Sequence, residues 1–260
     1  DNFAPVKHDF GGPSKTKAED LQVRKATDNF DRSKQPMAGM NPAVELPATW
    51  TMDLGNGIKV LGSQSTETPT TSLLLKIPVG SYYETADKAG VSALLAAILN
   101  ESTENYSTEQ MSLELEKLGS NISISSGDSY INVFVSSLSK NLPQTLVLLE
   151  EKLRSPAFKA EDFNRLQQQT LQGIQHSATN PAYIAATTYN KMMYDGSIAA
   201  LPGAGTLDSV SKLTLDDVKN WYQTYFKPAG GQLIVVSDLT QDKVATELKN
   251  QLSVWQGKGP

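Results

Sequence analysis

From Trp50 onward, apolar positions recur with a clear period. "WTMDLGNGIKVLGSQ" alternates apolar and polar residues about Gly55-Asn56-Gly57, which predicts a β-hairpin. "TTSLLLKIPVGS" (70–81) is a mostly apolar run, read as a strand buried on both faces. "KAGVSALLAAILNES" switches to helical spacing. In "STEQMSLELEKLGS", Ser107 and Gln110 form a capping box and Gly119 a stop signal, so a second helix is expected. "NISISSGDSYINVFVSSLS" predicts two alternating strands joined at a Gly-Asp turn.

The second half reads as mostly helical. "LPQTLVLLEEKLRSP" is a helix halted by Pro156, and "KAEDFNRLQQQTLQGIQHSATN" a long helix ending near Asn180 and Pro181. "PAYIAATTYNKMMYDG" restarts with proline as its first helical residue. "LTLDDVKNWYQTYFKP" is a capped helix, "GGQLIVVSDL" a strand and "TQDKVATELKNQL" a helix. Strands that pair through tight turns, intermixed with helices, predict an α+β fold: a mostly antiparallel sheet with helices packed on one face.

Residues 1–43 break this pattern. "FGGPSKTK" and "DRSKQPMAGMNP" are rich in turn formers and poor in large apolar side chains, so they cannot bury a core of their own. They read as an extended or disordered linker, with 44–260 as a single domain. The chain starts at Asp1, shows no signal peptide, and reads as a piece cut from a longer precursor.

Composition narrows the chemistry. The 260 residues are 39% hydrophobic and 20% charged, which suits a globular protein, and no apolar run approaches the ~20 residues of a membrane span. A net charge of −5 argues against a nucleic-acid partner, which needs a basic face. Without cysteine there is no disulfide and no thiolate metal site. The two histidines, His8 and His176, fall in the leader and near the end of the long helix, a poor start for a histidine-rich zinc site. "GGPSK" lacks the second half of a phosphate loop, no G-x-S-x-G occurs, and the glycines of "LPGAGT" read as a turn between helices.

The stretch "GVSALLAAILNESTEN" (90–105) resembles the zinc motif of the pitrilysin/insulinase (M16) peptidases. Active members of that family carry G-L-[AS]-H-x-x-E-H-[ML]-[LF]-x-x-[GS]-T there. Gly90, Val91, Ser92, Leu94, Leu95, Leu99 and Thr103 keep the frame. The two histidine positions hold Ala93 and Ala97, and the catalytic glutamate position holds Ala96. Similarity continues through "LGNGIKVL", "IPVGSYYE", "STEQMSLELEKLGSNISISSGDSY", "LPQTLVLLEEKLRSPAFKAEDFNRLQQQTLQGI" and "LTLDDVKNWYQTYFKPAGGQLIVVSDLTQDKV", over nearly all of 46–256.

The resemblance implies an M16-like α+β fold and, in active relatives, an inverted H-x-x-E-H helix. Two imidazoles four residues apart reach one zinc, and the glutamate takes a proton from its bound water. The family's third ligand is a glutamate in a later helix, in a stretch like V-x-L-x-E-[IM]; here that place falls at Gly173. Alanine and glycine side chains have no lone pair and no titratable proton, so these positions can neither hold a metal nor act as a base. With no metal to surround, the small side chains are expected to let the helices close up, and Asp87, Glu101 and Glu104 nearby read as a solvated rim.

Members of the family commonly have four similar domains in two halves joined by a linker. The leader resembles that linker, so the chain resembles a third, non-catalytic domain. The resemblance implies no cofactor here, zinc in the parent's first domain, and partners among the other M16 domains and the parent's unfolded peptide substrate. It also leaves open a wholly inactive homologue acting as a structural or peptide-binding subunit. Family members with this linker type point to the periplasm or the outer membrane as the compartment.

Overall fold

The computed structural model describes residues 31, 33–35, 37, 39–41 and 46–259, so most of the proposed linker lies outside the described residues. Among the described residues there are six strands and eight α-helices. The elements are β1 (Thr49–Asp53), β2 (Lys59–Gln64), β3 (Thr70–Ile77), α1 (Val91–Leu99), α2 (Thr108–Leu118), β4 (Asn121–Ser126), β5 (Ile131–Leu138), α3 (Leu142–Arg154), α4 (Ala160–Ser177), α5 (Pro181–Met193), α6 (Leu207–Lys212), α7 (Leu215–Tyr225), β6 (Gln232–Ser237) and α8 (Gln241–Leu252).

The strands form one sheet in the order β1-β2-β6-β3-β5-β4. Every pairing is antiparallel except that of β2 with β6, which is parallel. The predicted hairpin pairs β1 with β2, and Asn56 at its tip turns inward. Its Nδ2 donates to the Leu252 and Trp255 carbonyls at 2.8 and 2.9 Å, which ties the turn to the chain's last helix. Ser107 and Gln110 close the expected capping box, and Gly119 ends α2 in the left-handed conformation at φ +60°. Thr214 and Asp217 do the same at the start of α7.

One face of the sheet carries Val60, Leu73, Leu75, Ile77, Ile122, Ile124, Val133, Val135, Leu233 and Val235, all buried in a core shared with Leu94, Leu95, Leu146, Leu149, Val218 and Leu248 of the helices. No helix of the described residues covers the other face. Register aligns Leu61, Ile234, Leu74 and Phe134 in a row across β2, β6, β3 and β5. Leu61, Ile234 and Phe134 of that row are exposed. Burial of β3 therefore alternates, and the expectation of a strand buried on both faces does not hold: Leu74 points to the open side.

Candidate functional site

Helix α1 is held at both ends by polar groups. At its start, the buried Glu84 carboxylate accepts the Gly90 and Ser92 amides, each at 2.7 Å. These are donors that a helix start leaves without an intrahelical partner, and the negative charge complements the positive end of the helix dipole. Burial pushes the Glu84 carboxyl up, against the lowering effect of those same amides. Gly205 of "LPGAGT" sits over this entry: at φ +81°, a Cβ there would lie 2.4 Å from the Ala89 carbonyl oxygen. Its role is close packing as well as a turn.

At its end, Asn100 and Thr103 shape the exit. Thr103, the last frame residue of the motif, forms a backbone hydrogen bond to Tyr106 at 2.9 Å and accepts the Tyr106 amide on its hydroxyl at 3.2 Å. The buried Lys152 donates to the Asn100 carbonyl at 2.9 Å, and burial pushes its ammonium down to about 8 despite the nearby Glu101. Glu101 is more than part of a solvated rim, because it pairs with Arg165 at 2.8 Å and accepts the Thr108 hydroxyl at 3.1 Å. This pair draws α4 toward the C-terminal end of α1.

Between those ends lie the positions that the motif singles out. Ala96 is buried at 3% exposure, whereas Ala93 and Ala97 are only partly covered. Helix α4 packs against α1, but Gly173 is exposed, and a Cβ there would meet nothing within 4 Å. The helices are expected to close over these positions, and among the described residues they do so only in part: Ala96 is buried and Ala97 packs against the core, but Ala93 and Ala97 stay half-covered and Gly173 lies open. Among the described residues no three His, Asp or Glu side chains gather into a metal-sized group. His176 is exposed in the last turn of α4, and His8 lies outside the described residues.

A hollow of about 680 Å³ lies elsewhere, on the open sheet face, lined by Thr51, Asp53, Lys59, Leu61 and Ile234. None of the motif positions touches it. No helix of the described residues is long and apolar enough to cross a membrane. Sequence reasoning passed over Glu84 and Asn100, which carry the polar work around α1. A trace of each was present: an acid six residues before the helix-opening glycine, and an amide directly after the last apolar helical residue.

Comparison with known proteins agrees with this fold. The family model "Insulinase (Peptidase family M16)" matches residues 59–200. A protein from Rickettsia felis named an uncharacterized zinc protease is 22% identical over 200 residues, 77% of this chain and 48% of its own. The "Non-peptidase homolog YmxG" of Helicobacter pylori is 23% identical, over 66% of this chain and 40% of its own. Bovine cytochrome b-c1 complex subunit 1 is 22% identical, over 70% and 38%. The chain thus spans about half the length, or less, of these relatives. Among solved structures, an inactive M16 peptidase domain from Pseudomonas fluorescens superimposes with a TM-score of 0.77 at 23% identity, covering 82% of this chain and 52% of that one. The periplasmic protease PqqL of Escherichia coli does so with 0.73 at 16%, covering 84% and 25%. With motif frame, fold and family match in agreement, this chain belongs to the insulinase family of peptidases, family M16.

Proposed function

We propose that this chain is a non-catalytic M16 domain, the third of four in its parent, supplying chamber wall and interdomain contacts to a zinc peptidase whose active site lies in another domain. The observation that carries the reading is the donor-free set Ala93, Ala96, Ala97 and Gly173 on an otherwise kept frame. An intact frame without donors preserves packing and loses chemistry.

Two surfaces support the contact role. Helix α5 has no buried residue, and Ile184, Tyr189, Met192 and Met193 stand exposed along it. The apolar row on the open sheet face is the second. A lone domain gains nothing from exposing either, whereas a neighbouring domain would bury both. Residues 1–43 serve in this reading as the linker from the preceding half. Zinc, peptide substrate and a periplasmic or outer-membrane setting belong to the parent.

The test compares the chain with its parent. The parent should cleave an unfolded peptide and hold zinc, and the chain alone should do neither. Zinc-dependent cleavage by the chain alone overturns the proposal. The relative named a non-peptidase homolog favours a second reading, a wholly inactive parent with a structural or peptide-binding role. A folded parent without zinc or cleavage selects that one.

A further inference from the structure

Among the described residues β4 is the last strand of the sheet, so one side of its backbone faces no neighbouring strand there. Such an edge is a template onto which an extended polypeptide can add as a further strand. In an antiparallel ladder, alternate residues turn their N–H and C=O groups outward. Here the outward positions include Ile122 and Ile124, which share one parity in the pairing with β5.

The outward groups of Ile124 are already taken. The Ile124 amide donates to Asn100 Oδ1 at 3.0 Å, and Asn100 Nδ2 donates to the Ile124 carbonyl at 2.7 Å. A carboxamide offering one acceptor and one donor to the same residue reproduces what a residue of a neighbouring strand would offer. Its orientation is fixed, because Nδ2 also donates to the Ala96 carbonyl at 2.8 Å. A flipped amide would set its oxygen against two carbonyl oxygens. Lys152 Nζ donates to the Asn100 backbone carbonyl at 2.9 Å.

We propose that Asn100 is a built-in occupant of the β4 edge, closing it against the addition of an extended polypeptide as a seventh strand. An added strand needs at least two successive outward residues, which lie about 6.6 Å apart along the edge. With Ile124 occupied, Ile122 and Ser126 are left on either side of it, and no two successive outward residues of β4 are free to anchor a ladder. The inference holds for either parent considered above, because it concerns only where this domain can take a peptide.

Amide hydrogen exchange on the whole chain, read by NMR, tests the contact without any substitution. The Ile124 amide should exchange at least about tenfold more slowly than the outward Ile122 amide. Equal rates would overturn the proposal. Fluorescence anisotropy with a labelled decapeptide of alternating Thr and Val, flanked by lysines, tests the consequence. The native chain should show no saturable binding that shifts the β4 amide resonances, whatever the other edge strand, β1, takes up. Asn100→Ala should lose the Ile124 protection and either bind the peptide or self-associate through β4. Saturable binding by the native chain that shifts the β4 amide resonances, or a folded Asn100→Ala chain that neither binds nor associates through β4, would contradict it. If Asn100→Ala does not fold, Asn100→Ser is read the same way, and the exchange comparison decides if neither variant folds.

Discussion

Lys152 gives the sharpest link between this fold and a measurable free energy. Its side chain is buried beneath the C-terminal end of α1 at 3% residue exposure, with the Asn100 carbonyl as its hydrogen-bond acceptor. Burial pushes the ammonium down to about 8 from its ordinary 10.5, while the nearby Glu101 opposes that shift. Each unit corresponds to about 1.4 kcal/mol, so keeping Lys152 charged in the fold costs about 3 kcal/mol below pH 8. Between the folded and unfolded values the unfolded chain binds more protons, so stability rises with pH in that window. Tyr222, pushed up to about 12 by burial, acts with the opposite sign only above pH 10. Urea unfolding followed by tryptophan fluorescence should therefore show native stability rising by about 2–3 kcal/mol from pH 8 to pH 10. In Lys152→Met that rise should vanish. At pH 7 the variant should lie within about 2 kcal/mol of the native chain, because relief of the charge offsets the lost hydrogen bond. At pH 10 it should be less stable by about 1–3 kcal/mol. A native profile that is flat or falling from pH 8 to 10, or a variant that keeps the native slope, refutes the reasoning.

Other consequences follow from the same geometry. Leu94→Ala, at 1% exposure under the sheet, should cost about 2–5 kcal/mol, read as a lowered urea midpoint. Met192→Glu on α5 should leave the melting temperature of the chain within a degree or two and weaken its association with the rest of the parent, measured by calorimetric titration; a large drop in melting temperature would mean that α5 packs within this domain. The quadruple variant Ala93→His, Ala96→Glu, Ala97→His and Gly173→Glu has room at 173 but must bury a carboxylate at 96. It should lose roughly 1–3 kcal/mol and cleave no peptide, since a zinc site needs further polar groups to orient each ligand and the four substitutions supply none. Unchanged stability with zinc-dependent cleavage would show that the site survives in all but its ligands.

Local signals in this chain were legible because their causes are local. The hairpin at 55–57, the Ser107–Gln110 box and the proline at the start of α5 each rest on residues a few positions apart. The motif frame likewise located α1 and its missing donors. What stayed hidden depends on distant partners. The parallel pairing of Lys59 with Gln232 joins residues far apart in sequence, and no turn announces it. The open side of β3 could not be read from "TTSLLLKI", since an apolar run is equally suited to one covered face or two. Helix α6, with six residues, is too short for a period to show. The openness at Gly173 depends on how α4 passes α1, which side-chain size alone does not determine.

The central claim is that this domain keeps the M16 frame and has lost its chemistry. Metal analysis of the purified chain, after incubation with zinc and exhaustive dialysis, tests it most directly. The account predicts no stoichiometric zinc. One tightly held equivalent per chain, released when Ala93, Ala97 or Gly173 is replaced by a bulky apolar residue, would contradict it.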